Sequence, residues 1–207
     1  MSKQHYYVSK NKNNRFVFSQ QDLFHIKKVM RYQINQEIIA IYNNNHHLLK
    51  ITSLNPFKYC YLKTLAINNE NNFHLSVILP LSNPKLNALM FQKAVELNAN
   101  LIIPFCFQKS LVKINNLNYQ QKLQRYQKII KEAGEQSQRN QEVKIVDHLI
   151  NQSEIKNYLL TNNFVCDLVG KPFLFSKLGL NKDTLIVIGP LKGFSKEERL
   201  FFKKLNF

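Results

Sequence analysis

The sequence predicts two parts: a small β-barrel, α+β in character, followed by an α/β domain whose largely parallel sheet is covered by helices on both faces. Three observations predict it. Residues 1–70 read as short strands around one helix, the profile of a small barrel. From residue 73 onward, continuous apolar strands alternate with amphipathic helices, the rhythm of a parallel sheet. Between them the asparagine-rich stretch Asn68–Asn72, broken by Glu70, interrupts both patterns. It predicts domains at 1–70 and 71–207.

The elements follow in order. Arg15–Phe18 is a short strand candidate. Ser19 with Asp22 forms a capping-box pattern ahead of Leu23, Ile26, Lys27 and Met30, which have helical spacing. Glu37–Tyr42 and Leu48–Thr52 flank an Asn-Asn-Asn-His cluster, predicting a hairpin with a four- or five-residue loop. Phe57–Ala66 is a further strand. In the second part, strands are expected at Phe73–Leu79, Leu101–Phe105, Lys144–Leu149, Phe164–Val169 and Thr184–Ile188. Helices are expected at Pro84–Asn98, with Leu86, Met90, Ala94 and Leu97 on one face, and at Tyr119–Arg139, with Tyr126, Ile129, Ile130 and Ala133 turned inward.

Charge narrows the function classes. Lysine and arginine number 29 against 13 acidic residues, a formal net charge of +16. Residues 1–70 hold 10 basic and 3 acidic groups and 71–207 hold 19 and 10, so a polyanion could meet both parts. Nucleic acid is the commonest such partner. Cys60, Cys106 and Cys166 are odd in number and lack CxxC spacing, which predicts buried thiols in a reducing compartment and no metal site. The N-terminus lacks a signal-length apolar core and no 18-residue apolar run occurs, so a soluble, cytoplasmic protein is expected. No Walker loop and no GxGxxG follows a strand, which argues against ATP hydrolysis and a standard dinucleotide site.

Three constellations could carry chemistry. In LIVIGPLKGFSKEE (Leu185–Glu198), Gly189-Pro190 closes a strand at the end where ligands of open α/β sheets collect. Gly189 and Gly193 permit close backbone approach, Pro190 stiffens the turn, and Ser195 with Glu198 caps a helix from Lys196. An ordinary strand-to-helix turn has a similar composition. In KEAGEQSQRN, Glu132, Glu135, Gln136 and Arg139 share helical spacing, suited to a nucleobase edge or a partner subunit, although a solvated face with a Glu135–Arg139 pair is the usual explanation of such a stripe. Gly134 costs that helix about 1 kcal/mol relative to alanine, which points to a closely packed neighbour. In HIKKVMR, His25, Lys28 and Arg31 line up on one side, suited to phosphate contact, although a charged outer face is the usual explanation of such spacing; His25 is expected to cap or pack. Lys109, beside Ser110 and near Lys113, follows the strand LIIPF and could grip phosphate too or simply be solvated.

Taken together, four of these segments resemble the ribosomal RNA small-subunit methyltransferase E family. FHIKKVMR (Phe24–Arg31) is similar to the family's His-His-x-x-x-Val-Leu-Arg, with Phe24 at the first histidine. QKAVELNANLIIP (Gln92–Pro104) resembles Gln-Lys-x-x-Glu-Leu-Gly…Ile-x-Pro, with Asn98 at the glycine. EAGEQSQRN (Glu132–Asn140) looks like Glu-Ala-x-Glu-Gln-Ser-x-Arg, and IGPLKGFSKEE (Ile188–Glu198) like Ile-Gly-Pro-Glu-Gly-Gly-Phe-Ser-x-x-Glu. The family's Glu-Gly-Gly is Leu191-Lys192-Gly193 here, and its Thr-Glu-Arg-Ser is Phe107-Gln108-Lys109-Ser110.

The resemblance implies an N-terminal barrel of the PUA-like RNA-binding type at 1–70 and a SPOUT-type α/β methyltransferase domain at 71–207. It also implies a homodimer, a trefoil knot and S-adenosylmethionine as cofactor. Because the family pattern continues past Phe207 with a segment that threads the knot, a C-terminally shortened domain and an incomplete knot are expected. The implied reaction is N3-methylation of a uridine in 16S ribosomal RNA of the small ribosomal subunit. A catalytically inactive RNA-binding descendant is the alternative. The resemblance assigns cofactor contacts to Val169, Gly170, Ile188, Gly189, Pro190, Gly193 and Phe194. Arg139 is the expected catalytic cation, and Lys28, Arg31 and Lys109 the expected RNA contacts.

Overall fold

A computed structural model of the chain describes residues 3–169 and 182–207. The chain divides into two compact units, one formed by Met1–Glu70 with Gly134–Glu142, the other by Asn71–Ala133 with Val143–Phe207.

The first unit is built on a mixed four-stranded sheet in the order β1-β4-β5-β6. Its strands are β1 (His5–Tyr7), β4 (Glu37–Tyr42), β5 (Asn45–Leu54) and β6 (Phe57–Leu65). A two-stranded ribbon, β2 (Ser9–Lys10) with β3 (Phe16–Val17), completes it. β1 pairs parallel to β4, whereas β4–β5 and β5–β6 are antiparallel. One sheet face carries the core of Tyr6, Phe18, Ile26, Ile38, Ala40, Leu49 and Ile51. The β4–β5 loop is shorter than expected, because β5 starts at Asn45 and only Asn43 and Asn44 turn. Their φ angles of 46° and 60° are left-handed, the conformation of a two-residue hairpin turn matched to strand twist, which asparagine tolerates.

Helix α1 (Gln20–Phe24) begins with the anticipated capping box, Ser19 Oγ accepting from the Asp22 amide and the Asp22 carboxylate from the Ser19 amide. It runs on as a π-helical turn over His25–Val29. That wider turn breaks the expected single line of cations. His25 faces Tyr6, whose hydroxyl is 3.0 Å from Nδ1, while Lys28 and Arg31 are exposed and Arg31 lies past the helix end with φ 52°.

The second unit is a five-stranded, all-parallel sheet in the order β10-β11-β7-β8-β9. The strands are β7 (Leu75–Pro80), β8 (Leu101–Phe105), β9 (Lys144–Ile145), β10 (Asn162–Cys166) and β11 (Thr184–Ile188). Alternate side chains feed two cores: Val77 and Leu79 of β7 pack with α2 (Pro84–Glu96) and α3 (Asn116–Gln136), while Ile78 packs on the opposite side with residues of α4 (Lys196–Lys204) and the 3-10 segment Gln152–Tyr158. Helices therefore cover both faces, as the alternating pattern predicts. β9 is only two residues long, because Asp147 and His148 lead the chain away from the sheet toward the Asn151–Glu154 capping box.

Helix α3 stops at Gln136, so Arg139 is not on the helical stripe with Glu132 and Glu135; Gln138 turns the chain with φ 57°. The cysteines also differ from expectation: Cys166 is exposed and Cys60 and Cys106 are half-buried, all three as free thiols. Among the described residues no helix is long and apolar enough to cross a membrane.

Candidate active site

In the second unit the chain runs outward from β7 through β8 to β9, then crosses to β10 and returns through β11 to the other side of β7. The order reverses between β7 and β11, and the crevice beyond the carboxyl ends of two such strands is the usual ligand position in a parallel sheet. Ile188, the last residue of β11, opens directly into the Gly189–Phe194 loop at that point.

The loop is shaped by its glycines and by Phe194. A Cβ at Gly189 would lie 2.7 Å from the Phe194 ring, inside any permitted contact. That ring cannot retreat easily, since it is buried edge-on between Phe107 and Phe202, at centroid distances of 5.4 and 5.5 Å. Gly193 has φ +69° and its amide donates to the Pro190 carbonyl at 2.7 Å, closing a turn with Leu191 and Lys192 at its corners. Leu191 is 76% exposed and Lys192 is exposed, while Pro190 is buried. The two residues that replace the family's acidic-glycine pair thus point their bulk outward.

The loop after β8 is bolted to this turn. Lys109 Nζ donates to the Phe194 carbonyl at 3.0 Å. Glu198, buried in the first turn of α4, accepts from the Ser195 amide with one oxygen and from the Gln108 amide with the other, each at 2.7 Å. Ser195 Oγ accepts from the Glu198 amide, so the predicted capping box is present. Its second function, gripping the β8 loop, had no sequence signal, because the Gln108 amide it binds is 90 residues away.

A second tie joins the segment after β10. Arg199 holds Asp167 through Nε at 2.6 Å and Nη2 at 3.0 Å. The guanidinium first, then the backbone amides of Val169 and Leu168, hold the Asp167 carboxyl below the usual carboxylate range. Val169 itself is 68% exposed, and the same guanidinium is 3.8 Å from where a Gly193 Cβ would be. Gly170 lies outside the described residues. The structure therefore brings Lys109, Gly189, Pro190, Gly193 and Phe194 into one cluster, with Ile188 at its base and Val169 tied to it through Asp167 and Arg199.

Arg139, Lys28 and Arg31 belong to the first unit. Arg139 is 1% exposed and its Nε and Nη2 grip the Glu70 carboxylate at 2.6 to 3.0 Å. Glu70 also accepts from the amides of Asn140 and Gln141. Tyr7 completes this knot of polar contacts: its amide donates to Glu135 Oε1 and its hydroxyl to the carbonyls of Arg139 and Gln141. Its hydroxyl also occupies the space at Gly134, 2.7 Å from where a Cβ would stand, which accounts for the glycine. Among the described residues no group of three or more metal-ligating side chains gathers.

A family model described as an RNA methyltransferase domain matches residues 69–207. The ribosomal RNA small subunit methyltransferase E of Mesomycoplasma hyopneumoniae (strain 232) is 29% identical over 207 residues, covering 98% of this chain and 87% of that protein. Its counterpart in Bacillus subtilis (strain 168) is 30% identical over 135 residues, which is 64% of this chain and 53% of that protein. Among solved structures, a ribosomal RNA small subunit methyltransferase E from Neisseria gonorrhoeae, bound to S-adenosyl methionine, shares the fold with a TM-score of 0.87 at 20% identity, over 100% of this chain and 87% of that one. A Legionella pneumophila protein solved with S-adenosylmethionine gives 0.85 at 18% identity over 99% and 86%. With the family model spanning the whole parallel-sheet unit and the loop at its switch point, the chain belongs to the RNA methyltransferase family represented by ribosomal RNA small subunit methyltransferase E.

Proposed function

We propose that the chain transfers a methyl group from S-adenosylmethionine to N3 of a uridine in 16S ribosomal RNA, acting in the cytoplasm during small-subunit biogenesis. The observation that carries this reading is the Gly189–Phe194 loop fixed at the sheet's switch point by Lys109 and Glu198. The residues present fit such a cofactor. Gly189 lets the main chain lie directly on the Phe194 ring, and Gly193 leaves main chain rather than a side chain at its turn, where backbone N–H and C=O groups suit the edge of an adenine. Ile188, Gly189, Pro190, Gly193 and Phe194 would hold it, with Val169 and Gly170 supplied from the segment after β10. When bound, the cofactor supplies an electrophilic methyl on a sulfonium.

What remains for the protein is alignment and charge. A neutral uridine N3 is a poor nucleophile, so its imide proton must pass to solvent water, and the negative charge left on the ring must be stabilised at the carbonyl oxygens. Arg139 is proposed for that stabilisation, on condition that its guanidinium opens or shares its hold on Glu70. Arg139→Lys separates the possibilities, since lysine keeps the charge and loses the fork. A fall in kcat with unchanged RNA affinity supports the catalytic role. Unchanged kcat with a lower melting temperature assigns Arg139 to the Glu70 lock alone.

Lys28, Arg31 and Lys109 are proposed phosphate contacts. Neutralising all three is expected to reduce the slope of log K against log salt by roughly two to three, about one for each phosphate left without its cation. An unchanged slope removes them. The mixed sheet and ribbon of the first unit are proposed as a PUA-like barrel, and the second unit as a SPOUT-type knotted domain working as a homodimer. The direct test incubates the purified chain with labelled S-adenosylmethionine and small-subunit RNA, followed by nucleoside analysis. Label in 3-methyluridine is expected; label in another nucleoside overturns the assigned position.

A further inference from the structure

At one end of the first unit's core face the rings do not stop at the core. Phe16, at the end of the ribbon, stands 4.8 Å from the His47 ring at a 36° tilt and 5.9 Å from Tyr42. His47 continues to Tyr61 at 6.1 Å, and Phe16 reaches back to Tyr59 at 6.3 Å. The ladder grows out of the sheet register: Ala40 pairs with His47 and Leu49 with Tyr61, so these side chains extend the face that carries Ala40 and Leu49 in the core. Here, however, Phe16, Tyr42 and His47 are half-buried, and Tyr61 is 53% exposed.

Two features set this apart from a frayed core edge. The outer rings are held in place: His47 Nδ1 and the Tyr61 hydroxyl both meet Thr64 Oγ1, at 3.0 and 2.8 Å. Rings fixed in this way lose little entropy when something stacks on them. The second feature is charge. Lys10 Nζ stands over both Phe16 and Tyr42, 5.1 and 4.8 Å from their centroids. Burial and then the Lys10 charge push the His47 imidazole below its ordinary value, against a hydrogen bond with the Tyr42 backbone, so at neutral pH it is an uncharged aromatic ring. Arg15 is the charge acting on Tyr59. Meanwhile four of the unit's five acidic groups are committed elsewhere: Asp22 to the cap of α1, Glu37 to Lys3, Glu70 to Arg139 and Glu135 to the Tyr7 amide, while the fifth, Glu142, acts on Tyr7.

Aromatic faces at a surface beside cations are the recognition chemistry of unpaired nucleic acid, whose bases stack while its phosphates meet lysine and arginine. We propose that Phe16, Tyr42, His47 and Tyr61, with Lys10, form a stacking platform for an unpaired stretch of the RNA substrate. The proposal rests on the RNA-methylating reading and gives it a second point of contact, in the first unit. Duplex RNA, whose bases are already stacked, gains only the lysine.

The chain contains no tryptophan, which makes the test direct. Tyr61→Trp places a single indole on the platform. Titration with short unstructured RNA oligonucleotides is expected to quench its fluorescence in a saturable way, with much less change for a duplex of equal length. In the unmodified sequence background, Tyr61→Leu is expected to weaken binding of the unstructured oligonucleotide by at least about fivefold. Lys10→Gln should weaken it and flatten its salt dependence. Unquenched indole, with both other variants binding as wild type, overturns the proposal. Methyl transfer to small-subunit RNA is followed in parallel. If it proceeds while the platform variants bind normally, the platform fails and the methyltransferase reading stands. If the variants lose RNA binding in a chain that methylates nothing, the platform stands and that reading fails.

Discussion

A methyl group placed on Gly189 would meet the Phe194 ring at 2.7 Å, and the ring is held on both sides by Phe107 and Phe202. Gly189→Ala must therefore displace either the loop or the aromatic stack beneath it, at a cost of about 1–3 kcal/mol. Calorimetric titration of S-adenosylmethionine is expected to show affinity reduced tenfold or more, while the far-ultraviolet spectrum stays that of the native fold. Wild-type affinity would show that the loop has room to spare. Gly193 and the capping Ser195 were legible in the sequence because their chemistry is local: a left-handed φ and a four-residue box leave marks in the residues themselves. Arg139 was legible as a residue worth notice, but its partner was not. Glu70 is 69 positions away, and a half-buried carboxylate looks like any other until the chain is folded.

Helix α4 holds two other segments, the Gln108 amide through Glu198 and Asp167 through Arg199. Its Glu198 closes the capping box and, at the same time, satisfies the Gln108 amide, so one carboxylate serves a helix start and a neighbouring loop. Glu198→Ala leaves two backbone amides without their acceptor, and a loss of about 2–4 kcal/mol is expected in urea unfolding. A loss of only a few tenths of a kcal/mol would mean that water replaces the carboxylate at both. Strands β7, β8 and β11 and helices α2 and α3 followed from apolar runs and from three- and four-residue spacing, since burial on one or two faces dictates those patterns. β1 was missed. Only three residues long, it takes its place from parallel pairing with β4, which no local pattern encodes. The π-helical turn at His25–Val29 was likewise invisible, because its sequence reads as an ordinary amphipathic helix.

At the scale of the molecule, pH is expected to act through the first unit. His5 and His46 pack edge to face at 5.3 Å, both buried, and His5 Nε2 and both His46 ring nitrogens lack a hydrogen-bond partner. Burial first, then the neighbouring His46, pushes His5 down to about 4, against a backbone hydrogen bond at Lys3; burial lowers His46 as well. The unfolded chain, with an ordinary histidine near 6.5, takes up its proton first as pH falls. Stability is therefore full above about pH 6.5 and drains away toward pH 4, by about 2 kcal/mol at pH 5 from His5 alone. Urea midpoints at pH 7 and pH 5 measure it, and a flat profile would mean the pair is hydrated when charged. Asp167, held down by Arg199, releases its contribution only at lower pH, in the carboxylate range. The return of Gly134–Glu142 to the first unit has a consequence for biosynthesis. Glu70, Tyr7 and Asn44 find their partners on Arg139, Gln141 and Asn140, so a nascent chain that has emerged only as far as residue 70 has the strands of that unit and not its closure. The portion made first is finished only after β7, β8 and α3 have left the ribosome, which ties the maturation of the two units to a single stretch of translation.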